Sequence, residues 1–252
     1  MSTKILVIDI GNTKSKLAIS EDGRLISEVT LQDHETTVRE ALRMAHVGEV
    51  DGCMVSSVTD GSTKMVKRMR AGGLWTSMLK HEMRLPFQIG YATPQTLGTD
   101  RIAAVAGVVA SFGLCDALVI DAGTAITYDF LTADGLFLGG AIAPGIGMRF
   151  RALHAFTSRL PLCDAGDDTG EIYGTDTRGA IAAGVMTGLR AETATYVAKA
   201  RERNPQTKVI LTGGDCKFFE LSPKDTIFVR PNLVLEGLAH IASMNLDRCT
   251  RH

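Results

Sequence analysis

No stretch of the 252-residue chain approaches the ~20 consecutive apolar residues that a membrane helix needs. After Lys4 the N-terminus enters a strand-like ILVIDI run, without the apolar core and small-residue cleavage site of a secretory signal. A cytoplasmic location with no membrane partner is therefore expected. An excess of one charge is missing too: 27 Lys and Arg stand against 28 Asp and Glu, a net charge of −1. A surface that tracks nucleic-acid phosphates shows a basic excess, so no nucleic-acid partner is expected. The five cysteines, Cys53, Cys115, Cys163, Cys216 and Cys249, are widely spaced and form no CxxC pair. That argues against a zinc site or a disulfide framework and for reduced thiols. The six histidines show no HxxxH spacing. The single tryptophan, Trp75, is expected in a core or an interface, with nothing to suggest base stacking. No low-complexity segment and no Pro- or Ser-rich linker interrupts the chain.

What is present is ordinary globular material. Hydrophobic residues make up 45% and charged residues 22%, enough to bury a sizeable core in one large domain or two of usual size. Lys4 to Ile10 reads as a buried strand, Lys14 to Ser20 as its hairpin partner, and Gly52 to Val58 as a further strand. Glu35 to Val47 has helical spacing, and Thr63 to Arg70 reads as a basic amphipathic helix. The Ala- and Val-rich run from Asp100 to Phe112 predicts a buried helix capped by Thr99 or Asp100. Helices near Met148–Arg159, Arg178–Arg203 and Leu233–Met244 and a strand at Lys208–Leu211 follow. Strands alternating with helices mean an α/β fold.

The opening of the chain then recurs. ILVIDIGNT at Ile5 to Thr13 matches ALVIDAGT at Ala117 to Thr124, each a strand, an Asp, a Gly, a Thr and a second strand. A repeated supersecondary unit implies duplicated domains, placed at 1–114 and 115–252.

Five segments could carry chemistry. In Asp9-Ile10-Gly11-Asn12-Thr13-Lys14-Ser15-Lys16, an Asp at a strand end precedes a Gly turn. Backbone N–H groups there can form an anion nest, with Thr13 and Lys16 adding donors and Asp9 facing a phosphate-bound metal. The same residues also make an ordinary hairpin turn. Asp121-Ala122-Gly123-Thr124 has the same two readings. Two copies at two strand ends favour a nucleotide-phosphate role. Thr212-Gly213-Gly214-Asp215 reads either as an adenosine contact or as a strand-to-helix turn with Asp215 as N-cap. In Gly98-Thr99-Asp100-Arg101, Asp100 can act as general base on a hydroxyl and Arg101 can grip an anion bidentately. A capped helix start with a surface ion pair is the other reading. Gly139 to Gly147 reads as an irregular Gly-rich loop entering a helix whose N-terminus could face an anion.

Together these segments, with the late Leu233-Val-Leu-Glu-Gly-Leu238, resemble the type III pantothenate kinase family of the acetate kinase/hexokinase/actin superfamily. The Asp-Gly-Thr loops mark the superfamily. Their combination with Gly-x-Asp-Arg points to pantothenate kinase. The resemblance implies two ribonuclease H-like (actin-like ATPase) domains with a nucleotide cleft between them. It implies ATP-dependent phosphorylation of pantothenate to 4′-phosphopantothenate, the first step of coenzyme A biosynthesis. By resemblance Asp100 is the catalytic base. The substrate residues are Tyr91, Gly98, Thr99, Asp100, Arg101 and Thr177. The ATP residues are Asp9 to Lys16 and Thr124, and Asp121 holds a monovalent cation. Mg²⁺, K⁺ or NH₄⁺, and a homodimer are implied with them. Asn232 departs from the family, which often has Asp before Leu-Val-Leu-Glu. Another small-molecule kinase of the superfamily, or an ATP-binding regulatory protein such as a transcription accessory factor, is the alternative.

Overall fold

The structure is a computed structural model in which residues 2–57, 62–219 and 227–246 are described. Val58, the expected end of one strand, and Cys249 lie outside them. The chain divides into two units. The first comprises Met1–Cys115, Leu131–Gly139 and Asn232–His252; the second comprises Asp116–Phe130 and Gly140–Pro231. A change of unit thus falls at Cys115, near the expected boundary. The closing helix and a short hairpin tip also belong to the first unit.

In the first unit, β1 (Lys4–Ile10), β2 (Ser15–Glu21), β3 (Arg24–Leu31), β4 (Gly52–Ser57) and β5 (Trp75–Met78) form one sheet, in the order β3-β2-β1-β4-β5. β1 runs antiparallel to β2 and parallel to β4. Being central, β1 is apolar on both faces: Ile5, Leu6, Val7 and Ile8 are all buried. α1 (His34–Val47) starts at Asp33, whose carboxylate accepts the Thr36 N–H at 2.7 Å. Met44 of α1, and Met65, Val66 and Met69 of α2 (Ser62–Ala71), join Leu6, Ile8, Leu17 and Val55 in one core cluster. Trp75 lies half-buried in β5.

α3 (Thr99–Phe112) packs against the closing helix, called α6 below (Leu233–Leu246), which also lies along β1 and β4. The two helices touch backbone to backbone: a Cβ on Gly107 would overlap the Leu233 carbonyl, and one on Gly237 the Ala103 carbonyl. The expected cap of α3 is corrected. Gly98 is the N-cap, with no side-chain cap bond, which leaves Thr99 and Asp100 inside the first turn. Two-residue β6 (Gln88–Ile89) pairs with Leu136 and Phe137 in the same unit.

The second unit repeats the sheet. β7 (Ala117–Ala122), β8 (Ala125–Leu131), β9 (Leu136–Pro144), β10 (Lys208–Thr212) and β11 (Ile227–Val229) are ordered β9-β8-β7-β10-β11. With the two-residue edge strand β6, which pairs beyond β9, left aside, both sheets read third-second-first-fourth-fifth in chain order. α4 (Ile146–Ala155) and α5 (Thr177–Arg203) supply Ile146, Phe150, Val185, Met186 and Leu189 to the core against Leu118, Ile120, Ile126 and Leu211. The expected loop from Gly139 is instead the second half of β9, because β8 supplies an edge for its backbone to pair with. Its glycines mislead a reading based on side chains alone. No helix among the described residues is long and apolar enough to cross a membrane.

Candidate active site

Asp9 is the next-to-last residue of β1, with its parallel neighbour Ser56 of β4 alongside and Lys16 of β2 opposite. The turn between them closes with Gly11 N–H donating to the Lys14 carbonyl at 3.1 Å. Ile10 and Ser15 are buried, while Asn12, Thr13 and Lys14 are exposed at the tip. Asp9 retains some solvent access, yet its pKa is raised to about 6. Desolvation by the surrounding protein is the main cause and the Asp100 charge adds to it; a Ser56 hydrogen bond and Lys16 oppose them. Ser56 Oγ also lies 3.0 Å from Thr99 Oγ1. The turn after β1 and the start of α3 are thus joined through two hydroxyls. Two segments 90 positions apart, Asp9 and Thr99, meet at one end of one sheet.

The Gly98–Arg101 segment is not a surface ion pair. Arg101 is only 5% exposed. Its guanidinium carbon lies 5.6 Å from the Tyr91 ring centre and 6.0 Å from that of Phe137. Such stacking suits a guanidinium, which is more weakly hydrated than an ammonium. Phe137 is itself held edge-on by Phe87, 5.9 Å between centres. Gly139, at φ +92°, leaves room for Tyr91: a Cβ there would stand 2.7 Å from the ring. Asp100 Oδ1 accepts the Arg101 N–H at 2.9 Å.

In the second unit three Gly-rich turns converge. Asp121 of β7 has Thr212 of β10 beside it, the counterpart of Asp9 beside Ser56. Gly123 N–H donates to the Ala125 carbonyl at 3.1 Å, which tightens the turn that carries exposed Thr124. Gly145 N–H donates to the Thr124 carbonyl at 3.1 Å, and Asp215 N–H to the Ala122 carbonyl at 3.0 Å. A Cβ on Gly145 would overlap the carbonyls of Gly123 and Thr124, so only glycine fits. Asp215 makes no side-chain cap; a short 3₁₀ turn follows it. Thr177 is the first residue of α5, exposed, behind an Asp176 cap that accepts the Gly179 N–H at 2.8 Å.

Sequence reading had not singled out Ser56, Phe87 or Phe137. A serine ending a buried strand beside another chemistry-bearing strand was the available signal for Ser56. The aromatic bracket gave none, because Phe137 lies 46 positions from Tyr91.

The matching family model covers residues 5–199 and describes type III pantothenate kinase. A type III pantothenate kinase of Phocaeicola vulgatus is 39% identical over 240 residues, 95% of this chain and 98% of that protein. Among solved structures, a conserved Campylobacter jejuni protein described under the Baf family of transcriptional activators has a TM-score of 0.64 at 23% identity, covering 96% of this chain and 99% of its own. The ROK hexokinase of Thermus thermophilus has a TM-score of 0.57 at 14% identity, covering 98% and 100%. At those identities the structures speak for the fold, the two-domain actin-like ATPase fold. The sequence relatives speak for more: the chain belongs to the type III pantothenate kinase family.

Proposed function

We propose that the chain phosphorylates pantothenate with ATP, giving 4′-phosphopantothenate and ADP, the first step of coenzyme A biosynthesis. Beyond family membership, one observation carries this reading. The turn after Asp9 and the Gly98–Arg101 segment are joined through Ser56 and Thr99.

ATP is the phosphoryl donor, and a divalent metal accompanies it. The loop from Asp9 to Lys16 is assigned to the ATP phosphates, together with Thr124. Asp9 fits a magnesium ion carried on those phosphates, since the Asp100 charge beside it leaves the pair short of compensating positive charge. Such an ion supplies charge against the phosphates. Asp121 is assigned to K⁺ or NH₄⁺. Among the described residues no cluster of three or more His, Cys, Asp or Glu offers a transition-metal site.

Asp100 orients the primary hydroxyl of pantothenate and takes its proton as the oxygen attacks the γ-phosphorus; the bond to the ADP oxygen breaks. Arg101, bracketed by Tyr91 and Phe137, is assigned to the pantothenate carboxylate. A guanidinium held by two rings keeps its fork in one plane for a planar anion. Gly98, Thr99 and Thr177 complete the substrate set. A homodimer is also proposed; Phe156, Tyr173 and Ile142 in the second unit are largely exposed and offer apolar area for it. A cytoplasmic location fits the buried thiols Cys53 and Cys163.

The test is ADP release by purified protein with pantothenate and Mg-ATP, in potassium or in sodium as the sole monovalent cation. Turnover that requires both pantothenate and potassium is expected. Turnover with a sugar or acetate instead would make it another kinase of the same fold. ATP binding without any turnover would favour a regulatory protein.

A further inference from the structure

A partly buried polar network in the second unit serves no step of the proposed chemistry directly. Arg149, in the second turn of α4, divides its guanidinium between two partners. Its Nε donates to the Pro144 carbonyl at 2.8 Å, and its Nη2 donates to both oxygens of Glu192 on α5, at 3.0 and 2.8 Å. The ion pair is largely enclosed, with the Arg149 and Glu192 side chains 18% and 27% exposed. Glu192 also accepts the Tyr128 hydroxyl at 2.9 Å, and that hydroxyl lies 3.1 Å from Thr193 Oγ1. Tyr128 is fully buried on β8 and stacks on Tyr196, 4.0 Å between ring centres.

The network reaches the Gly turns through one peptide. Arg149 fixes the carbonyl of Pro144; the next N–H, that of Gly145, donates to the carbonyl of Thr124. From the other side, Tyr128 sits three residues past the start of β8, the strand that leaves the Thr124 turn. The turn is therefore held at both ends by groups that meet at Glu192. A lysine has one donor centre and cannot serve both partners at these positions.

We propose that Arg149 and Glu192 are positioning residues for the 121–124 turn and so set the affinity for ATP. This rests on the assignment of Thr124 to ATP above. The two act through backbone and touch no reacting atom.

Arg149→Met, Arg149→Lys and Glu192→Gln are compared with wild type. The readouts are kcat, KM for ATP, KM for pantothenate, and the rise in Tm on adding a non-hydrolysable ATP analogue. Arg149→Met is expected to raise KM for ATP by about tenfold, the usual scale for loosening a group that orients a ligand contact. The analogue-induced rise in Tm shrinks with it, while KM for pantothenate stays within about twofold, since an ATP-side turn has no differential contact with the other substrate. Arg149→Lys, which keeps one of the two contacts, falls between. A lower Tm with both KM values unchanged would reduce the network to a structural role and overturn the proposal, as would equal changes in both KM values. Should Arg149→Met not fold, Glu192→Gln decides by the same criteria, since it keeps the side-chain shape and an acceptor for Tyr128. Thr124→Val serves as the reference. If it changes KM for ATP and the Arg149 and Glu192 variants do not, positioning fails alone. If it too leaves KM for ATP unchanged, the assignment of the turn to ATP fails.

Discussion

Asp9 and Ser56 are direct neighbours in the parallel register of β1 and β4, and the hydroxyl of Ser56 bonds the Asp9 carboxylate. The second unit repeats the register, with Asp121 of β7 beside Thr212 of β10. In each sheet the next-to-last residue of the first strand is an Asp, and the parallel strand beside it carries a hydroxyl residue at the facing position. A carboxylate at the end of a buried parallel strand needs a partner, because isolated burial of its charge is costly. A short hydroxyl residue can supply a hydrogen bond without filling the space in front of the strand, which the proposed function assigns to the ligand. The likeness therefore extends past the Asp-Gly-Thr motif to the residue that stands beside the Asp.

The raised pKa of Asp9 predicts a pH dependence for the protein free of nucleotide and metal. Below pH ~3.8, the ordinary Asp value, folded and unfolded chains both carry the Asp9 proton. Between there and about 6 only the folded chain does, so stability contributed by protonation is lost as pH rises through that window. Above it the full penalty of the buried charge is present. The rise from 3.8 to about 6 corresponds to at most ~3 kcal/mol, and the residual solvent access of Asp9 reduces that. Asp9→Asn should thus gain stability over wild type as pH increases from 4 to 7, while losing turnover. Urea midpoints in EDTA at pH 4, 5, 6 and 7 check this. A difference that does not vary with pH would sink it.

Replacing Asp100 by Asn should lower kcat by roughly 10²- to 10⁴-fold, the range for removing a general base. KM for ATP should change little. The same substitution has a second signature away from the chemistry. The Asp100 charge is one cause of the raised Asp9 pKa, so the Asp9 titration should move downward in Asp100→Asn. Carboxyl NMR of Asp9 reads that shift directly. Near wild-type turnover would remove Asp100 as the base; an unmoved Asp9 titration would deny the electrostatic contact.

Much of this arrangement was legible in the sequence. Composition located β1, α3 and β7, because each is a largely apolar run, and α5, because Thr177–Arg203 is a long Ala-rich stretch without proline. The Asp-Gly-Thr repeat was visible because it is local. What stayed hidden depended on pairing between distant segments. β9 looked like a loop because glycines such as Gly139 and Gly140 weaken strand propensity, and the β8 edge that compensates them cannot be read from its own residues. The placement of α6 in the first unit depends on Gly107 and Gly237 letting two backbones meet. The aromatic bracket of Arg101 joins residues from three separate segments. Polar motifs marked the candidate groups, and tertiary contact alone showed what packs around them.

That bracket gives the last expectation. Arg101→Lys keeps the charge but loses the flat, weakly hydrated group that lies against both the Tyr91 and Phe137 rings. If Arg101 binds the pantothenate carboxylate, KM for pantothenate should rise by about tenfold or more, the loss expected when a bidentate charged contact of ~1.5–3 kcal/mol is reduced to a single one. KM for ATP should stay within about twofold, because the ATP contacts are assigned elsewhere. Gly139→Ala should produce a milder form of the same effect from a distance. Its backbone at φ +92° strains any L side chain, and the added methyl meets the Tyr91 ring. The ring must shift, and the guanidinium with it. Steady-state kinetics of both variants, with Tyr91→Phe as the control that keeps the ring, separate the possibilities. A pantothenate KM unchanged in Arg101→Lys would remove the carboxylate from Arg101, whereas a raised KM for ATP instead would move Arg101 to the phosphoryl group.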